Sequence, residues 1–534
     1  MGCDVIEGGI GLRVFGRIVR VGSGKVMELM LHRKPRGSAY LGRMPAAAPR
    51  LWQALLPLVL LILLLVANLQ VFGDGSLGGP NQFALLAGAA VALVVGAANG
   101  ERFSELIDHV VRSIATAVPG ILILLLIGSL TGAWLLSGTV PAMIAHGVQL
   151  LSPKVFLVAT CLVCAVVSLA TGSSWSTAAT VGIALIGVGR ALDLNEGLVA
   201  GAVISGAYFG DKLSPLSDTT NLAPAVAGGE LFGHIRYMLN TTLPSMGIAL
   251  LLFGGIGLFG GPAKASTAQL DQVVAAIREH VHIGWYCYLP PVVVVVLIAR
   301  RMAALPALFI GTLAGLVVAV VFQAELLESL SAGTGWRERY RVLMNALVAR
   351  TEVATGSPLV DELLSAKGMA GMLETVWLIV CAMTFGGAME GAGLLQRITR
   401  EVMRLVKGDG SLIATTAASC AFVNVTASDQ YLAIVVPGRM YAPVFRERGL
   451  APKVLSRTLE DAGTVTSPLV PWNTCGAYQA GVLGVATMTY LPFCFFNLAS
   501  PLMTMLQGWL GWRIARTPVQ PPAAKHVRGG DELP

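Results

Sequence analysis

The sequence has little charge for its length. Asp, Glu, Lys and Arg make up 13% of its 534 residues, whereas 55% of the residues are hydrophobic. Soluble globular proteins contain about 25% charged residues, so a soluble domain is not expected. The net charge of +7 therefore carries no argument for nucleic-acid binding, and only the placement of the basic residues matters.

Signatures of catalysis and of nucleotide use are also missing. The chain has no HExxH zinc motif, no GxSxG nucleophile motif with its partners, and no GxxxxGK[ST] phosphate loop. We therefore expect neither an enzyme nor an ATP-driven pump, and no cofactor. The eight cysteines are scattered, and the pair Cys161 and Cys164 has no second pair that would suggest a metal site.

Long apolar runs are what the chain has in abundance. Stretches that can cross the roughly 30 Å hydrocarbon core of a bilayer recur along it, most clearly at 51–72 and 376–393. The first run is preceded by nine Lys or Arg residues and is too long for the core of a signal peptide. The sequence therefore predicts an all-α polytopic membrane protein that keeps its first span.

The chain also repeats itself. A shift of 253 residues places GDKLSPLSDTTN (210–221) over GTVTSPLVPWNT (463–474), and the tripeptide Ser-Pro-Leu coincides. The same shift places TGSSWST (171–177) over NVTASDQ (424–430). Matches that keep their order at one offset indicate an internal duplication, as in many transporters.

Each half has the same series of predicted elements. Three spans and a short helix are followed by an apolar segment with a polar tip, which suggests a re-entrant hairpin. A span broken at Ser-Pro-Leu and a last span then complete the half. Five crossings in each half make the second repeat inverted relative to the first, with about 10–12 spans in all. The predicted divisions are a basic cytoplasmic tail (1–50), the first repeat (51–260), an external linker (261–282), the second repeat (283–512, with an external loop at 324–372) and a cytoplasmic C-terminal tail (513–534).

The placement of Lys and Arg agrees with this topology. With the N-terminus inside, 26 of the 37 basic residues fall on the cytoplasmic side and nine fall outside. Only Lys212 and Arg439 fall within membrane segments. We therefore predict ten full crossings of a cell (inner) membrane, with both termini cytoplasmic.

The broken spans carry the candidate cation site. Pro215 removes a backbone donor and disfavours the helical conformation at Ser214, so the helix should open there. Oxygen ligands suit a hard cation such as Na⁺, and the carboxylates could instead bind a proton. The freed half-helix N-termini could alternatively hold an anion, and Lys212 either neutralises an aspartate or faces the interface. The predicted cation- and proton-binding residues are Asp211, Ser214, Ser217, Asp218, Thr219, Asn221, Asp429, Ser467, Asn473 and Thr474.

The hairpin tips are expected to line the same site. Five polar residues at each tip, between apolar legs, are difficult to explain as local helix capping alone. Glu390 and the adjacent pair Glu460 and Asp461 are further candidates for carrying protons, although an ion pair or a water-facing position would explain them equally well. The predicted tip residues are Ser173, Ser174, Ser176, Thr177, Asn424, Thr426 and Ser428.

These residues resemble a known family. GDKLSPLSDTTNLAP (210–224) and LEDAGTVTSPLVPWNTCGAYQAGVLGV (459–485) are similar to the signatures of the NhaC-type Na⁺/H⁺ antiporters, which include malate/lactate exchangers. The resemblance covers most of 51–512 but not the N-terminal tail. It implies a wider relationship to elevator-like ion transporters with paired hairpins and broken helices.

The leading hypothesis is a secondary antiporter that exchanges Na⁺ for H⁺ by alternating access. The alternative is exchange of an organic anion of the malate/lactate type, or of an amino acid, coupled to these ions. A channel is a different class, and duplicated broken helices with carboxylates fit alternating access better. The expected partners are Na⁺, H⁺ and the lipid bilayer, but no nucleic acid, with an organic anion and a homodimer left open.

Overall fold

The structure, a computed structural model, describes most of the chain between residues 49 and 517. The described ranges are 13–14, 17–18, 49–72, 78–150, 152–259, 267–300, 302–331, 333, 335–404 and 406–517. The chain divides into two units, 1–48 and 49–534, and within the first a two-residue strand β1 (Arg13–Val14) pairs antiparallel with β2 (Arg17–Ile18). Most of the two predicted basic tails lies outside the described residues.

The larger unit is almost entirely helical. Its only described strands, β3 (Thr351–Glu352) and β4 (Ser365–Ala366), form one short antiparallel pair. Up to the end of the first predicted repeat, the α-helices are α1 (Leu51–Phe72), α2 (Pro80–Ala98), α3 (Phe103–Leu136), α4 (Thr139–Leu150), α5 (Pro153–Thr171), α6 (Ser174–Thr177), α7 (Ile183–Ala191), α8 (Glu196–Leu213), α9 (Asp218–Ala227) and α10 (Leu231–Phe259), with a π-helix at Ala178–Gly182.

The remaining α-helices begin after residue 266. They are α11 (Thr267–His280), α12 (Leu289–Ala299), α13 (Ala304–Phe322), α14 (Ala324–Ser329), α15 (Trp336–Val348), α16 (Pro358–Leu363), α17 (Leu373–Gly391), α18 (Leu394–Met403), α19 (Asp409–Thr426), α20 (Gln430–Glu447), α21 (Pro452–Leu459), α22 (Thr474–Leu483), α23 (Thr487–Tyr490) and α24 (Phe495–Leu510). A π-helix spans Glu460–Thr464, and 3₁₀-helices span Trp285–Tyr288, Met369–Met372, Ser467–Leu469 and Leu491–Phe493.

Seven helices in the described residues are long and apolar enough to cross a membrane, or eight if the bent pair Asp271–His280 and Trp285–Ile298 is one span. Their outer faces present large apolar side chains such as Leu63, Val94 and Leu251, which are 63–77% exposed. Water would not cover such faces favourably, whereas lipid does. The protein is an all-α multispanning membrane protein, and ten crossings, which would include the broken helices, stays a prediction.

One predicted span differs from the observed helix. Hydropathy places the third span of the first half at 118–138, whereas α3 begins fifteen residues earlier, at Phe103. The early turns of α3 carry Glu105, Asp108 and Arg112, so a search for long apolar runs does not find this part of the helix. Charged residues indicate where a helix leaves the hydrocarbon region. They do not indicate where the helix begins, because its backbone hydrogen bonds can continue outside that region.

Close packing of α5 against α8 holds the first hairpin against the first broken helix. A Cβ atom added at Gly206 or Gly210 would collide with the carbonyl oxygens of Cys161 and Ala165. Small residues at such crossings let two backbones approach and gain dispersion contacts where no hydrophobic effect drives association. This packing brings the end of α8 beside the hairpin tip.

Candidate functional site

The first helix break opens as the proline predicts. Helix α8 ends at Leu213, and Ser214 is extended, with φ −80° and ψ 127°. Ser217 then caps α9, its Oγ accepting from the backbone N–H of Thr220 at 3.4 Å. The Asn221 side chain donates to the carbonyls of Pro215 (2.9 Å) and Ser217 (2.7 Å). Because the first of these bonds gives a partner to the Pro215 carbonyl within the break, Asn221 stabilises the geometry of the break.

The first hairpin tip contacts this break through Asp211. The Asp211 Oδ2 atom accepts from the Ser174 hydroxyl at 2.6 Å and from the Ser174 backbone N–H at 3.1 Å. Gly172 makes the turn in the left-handed conformation, with φ 71°, and Ser173 caps the next helical turn. A Cβ atom at Gly172 would lie 2.6 Å from that of Leu216, so the tip lies directly against the break.

The second break consists of a turn that is wider than an α-helical turn, followed by one that is narrower. The π-helix Glu460–Thr464 is followed by the 3₁₀ turn Ser467–Leu469, and Asn473 caps α22 by accepting from the Cys475 N–H at 3.0 Å. The Ser467 hydroxyl donates to the Thr464 carbonyl at 2.6 Å. The polar side chains of this break therefore mostly satisfy its own backbone.

The second tip is held to the second break in the same way. Asn424 donates to the Gly463 carbonyl (2.6 Å), and Asn473 donates to the Asn424 carbonyl (3.0 Å). Ser428 is left-handed, with φ 59°, and its carbonyl accepts from the Thr474 N–H at 2.9 Å. Asp429 caps α20 by accepting from the Leu432 N–H at 2.9 Å. Each tip is thus bonded to the break of its own half.

Both tips and both breaks contribute to one cavity of about 980 Å³. Three carboxyl-bearing residues line it, namely Asp211, Asp218 and Asp429, and the described lining residues include no Lys, Arg or His. Hydroxyl and backbone oxygens complete a set of hard ligands that suits Na⁺. Of the predicted site residues, the cavity is lined by Asp211, Ser217, Asp218, Thr219, Asp429, Thr474, Ser173, Ser174 and Ser176.

The remaining predicted residues lie outside this lining. Thr177 and Thr426 donate back to carbonyls four residues earlier in their own segments (2.9 Å each). Glu390 is half-buried near the end of α17. The predicted residues outside the lining are Ser214, Asn221, Ser467, Asn473, Thr177, Asn424, Thr426, Ser428, Glu390 and Asp461.

Gln430, the fifth polar residue of the second tip, also lines the cavity. No aromatic side chain was among the predicted site residues, but Trp175 at the first tip and Tyr431 after the second line the cavity too. Trp175 stacks on Tyr478, with ring centroids 3.9 Å apart, and the Tyr478 hydroxyl donates to the backbone carbonyl of Trp175 at 3.0 Å. A large aromatic residue between polar tip residues is a signal that sequence reasoning could have used.

Lys212 faces away from the cavity. Its ammonium group is fully buried, forms an ion pair with Asp461 and donates to the Ser500 hydroxyl at 3.1 Å. The other carboxylate oxygen of Asp461 accepts from Thr504 at 2.6 Å and lies 3.8 Å from Arg457 Nε. Lys212 therefore neutralises an aspartate, but this is Asp461 and not its neighbour Asp211, and it does not face the interface. It joins the first broken helix to the second.

The described residues include no group of three or more His, Cys, Asp and Glu side chains that could hold a transition metal. A cavity bounded by broken helices, with carboxylates and hydroxyls but no basic side chain in its described lining, is typical of membrane transporters that handle cations. The fold and this site therefore define the class of the protein as a polytopic ion transporter.

Comparison with known proteins gives the family. The profile of the Na⁺/H⁺ antiporter family matches residues 206–512, and the chain belongs to this family. It is similar to the Na⁺/H⁺ antiporter NhaC of Alkalihalophilus pseudofirmus (37% identical over 79% of this chain and 88% of that protein). It is also similar to the malate-2H⁺/Na⁺-lactate antiporter of Bacillus subtilis (32% over 84% and 92%) and the arginine/ornithine antiporter ArcD of Halobacterium salinarum (34% over 88% and 94%).

Proposed function

We propose that this protein exchanges Na⁺ for H⁺ across the cell (inner) membrane, with both termini in the cytoplasm. The observation that carries the proposal is the cavity, which has Asp211, Asp218 and Asp429 in its lining and no described basic side chain. Such a site attracts a small cation or takes up protons in its place. The family to which the chain belongs supports the same activity.

Exchange follows from competition for the carboxylates. A protonated carboxyl has lost the charge that attracts Na⁺, so each ion lowers the affinity of the site for the other by the same factor. Alternating access then requires only that the loaded site be exposed to one side at a time. The end of the link between α12 and α13 and the start of α13 (302–305) also line the cavity, and in the proposed topology this link is cytoplasmic. We therefore assign the structure to an inward-facing state.

A cationic amino acid is the second candidate substrate. The cavity volume of about 980 Å³ exceeds what a single Na⁺ needs, and Trp175 and Tyr431 in its lining offer aromatic faces to a cation. The likeness to an arginine/ornithine antiporter supports this candidate. An organic anion is disfavoured, because it needs a compensating positive charge and Lys212, which lies at the first break, pairs with Asp461 instead.

Purified protein in proteoliposomes tests the proposal. We expect Na⁺ to dissipate an imposed ΔpH, with an apparent Na⁺ affinity that rises with pH between about 6.5 and 9 by up to about tenfold per unit for each proton displaced. Parallel arms with arginine or ornithine, and with malate or lactate, test the other substrates. A response to arginine or ornithine without Na⁺ favours the second candidate, and no response to any of these solutes contradicts both.

A further inference from the structure

A fourth carboxyl lies one hydroxyl group away from the cavity. Glu460 is the first residue of the π-helix at the second break, and none of its surface is exposed. Its Oε1 atom accepts a hydrogen bond of 2.9 Å from the hydroxyl of Thr219. Thr219 lines the cavity, and its hydroxyl also lies 3.2 Å from that of Ser217, which does too. A chain of oxygen atoms therefore joins Glu460 to the candidate cation site.

The charges around Glu460 leave it without a cation of its own. Its chain neighbour Asp461 pairs with both Lys212 and Arg457, whose side chains are fully buried. The Oε2 atom of Glu460 has no hydrogen-bond partner among the described residues. The titratable or charged groups near Glu460 on neighbouring helices include Asp211 and Lys212 on α8 and Cys420 on α19.

Adjacent positions on a helix point in different directions, so two neighbouring acidic residues can differ in their partners. Glu460 faces Thr219 on α9, while Asp461 faces Lys212 on α8. Asn424 donates to the Gly463 carbonyl at 2.6 Å, so the second hairpin tip stabilises the π-helix that carries both acidic residues. A buried carboxylate with no paired cation takes up a proton more readily than one held in an ion pair.

We propose that Glu460 carries an exchanged proton and that the Thr219 hydroxyl couples its protonation to cation binding in the cavity. This inference rests on the proposed Na⁺/H⁺ exchange and adds a proton site separate from the cavity aspartates. When Glu460 is ionised, Thr219 donates to it, and the lone pairs of the Thr219 oxygen are free to ligate Na⁺.

Protonation reverses this arrangement. The new Glu460 O–H donates to the Thr219 oxygen. The Thr219 hydroxyl hydrogen then turns toward Ser217 and the cavity, where its partial positive charge repels a cation. One proton bound at Glu460 thus accompanies one Na⁺ released, and the total charge of the region stays constant. No bond between heavy atoms forms or breaks, and only one hydroxyl rotates.

The test measures proton release on Na⁺ binding to purified full-length protein, with a pH-sensitive dye in weak buffer, together with the pH dependence of Na⁺-induced thermal stabilisation. For Glu460→Gln we expect about one proton fewer per bound Na⁺, and a pH dependence of Na⁺ affinity that is weaker by about tenfold per unit. Thr219→Val should give the same loss of coupling, whereas Thr219→Ser should restore it because the hydroxyl is kept.

A matched control is Thr458→Val, since Thr458 is equally buried but donates only to the Val454 carbonyl of its own helix (2.8 Å). It should leave proton release at the wild-type value. If Glu460→Gln does not fold, the Thr219 variants decide. Wild-type proton release in folded Glu460→Gln or in Thr219→Val overturns the inference. Absence of Na⁺-linked proton release from the unmodified protein would instead contradict the proposed exchange itself.

Discussion

At the scale of single residues, Asp211 and Lys212 show how two residues adjacent in the sequence have different structural roles. Successive positions on a helix point about 100° apart, so two adjacent side chains face different surroundings. Asp211 accepts two hydrogen bonds from Ser174 beside the cavity, whereas Lys212 reaches across to Asp461. The acidic side chain faces the candidate ion path, and the basic one fastens two broken helices together.

Replacing Asp211 by Asn tests the charge without removing the shape. The amide oxygen can still accept a hydrogen bond from Ser174, but the charge that attracts Na⁺ is lost. We expect apparent Na⁺ affinity in proteoliposomes to fall by at least about tenfold, with normal membrane insertion. Asp271→Asn, on the exposed surface of α11, is the control. Equal transport by both variants would remove Asp211 from the site.

Lys212→Met tests the buried ion pair. The substitution leaves Asp461 in the protein interior with Arg457 3.8 Å away as its only described cation. We expect a loss of about 3 kcal/mol or more in unfolding free energy, measured by denaturation in detergent. Arg341→Met breaks an exposed pair with Glu338 and should cost less than about 1 kcal/mol. Similar small losses in both variants would show that Lys212 contributes little to stability.

At the scale of elements, the two halves repeat the same turn chemistry. A left-handed residue at each tip is followed by a capping residue, and each break ends at a capping residue. These equivalent positions are 256 residues apart, at Gly172 and Ser428, Ser173 and Asp429, and Ser217 and Asn473. The sequence shift of 253 aligns the two Ser-Pro-Leu tripeptides but places the tips three residues out of register. The inverted relation of the two halves stays a prediction.

Gly172→Ala tests the contact between the first tip and the first break. Its φ of 71° disfavours any side chain, and a Cβ atom would also lie 2.6 Å from that of Leu216. Gly228→Ala is the control, because Gly228 has φ 77° but open space around it, and its conformational cost should be about 1 kcal/mol. We expect Gly172→Ala to lower both the unfolding midpoint and Na⁺ affinity by more. Equal effects would contradict a close contact at the tip.

At the scale of the whole molecule, helices with apolar outer faces pack around a largely apolar core that holds a polar centre. Ser, Thr, Asn and charged groups are buried where the breaks and tips meet, and large apolar residues cover the outside. Lipid is therefore the solvent for the outer surface, and the cavity is where polar groups can be hydrated or bind ions. The distribution of basic residues along the chain predicts which side of this arrangement faces the cytoplasm.

Single introduced cysteines test the sidedness. Arg341 in the predicted external loop and Arg404 after α18 have side chains that are 65% and 72% exposed. A membrane-impermeant maleimide should label Arg341→Cys in intact cells but label Arg404→Cys only after permeabilisation. The native cysteines of the described region are all buried, and Cys3 can be replaced by Ala as background. Labelling of Arg404→Cys from outside would contradict the proposed topology.

The sequence by itself determined the membrane class, the positions of the two breaks and the two polar tips, and the family. Each of these follows from local composition, such as the apolar runs and the Pro215 and Pro468 that interrupt a helix. Only the tertiary structure decided that Asp211 faces the cavity, that Lys212 pairs with Asp461, and that Glu460 contacts Thr219. Lys212 and Asp461 lie more than 240 residues apart in the sequence, and so do Thr219 and Glu460. The side of a helix that faces a neighbour depends on how the helices pack, so the local sequence does not specify these contacts.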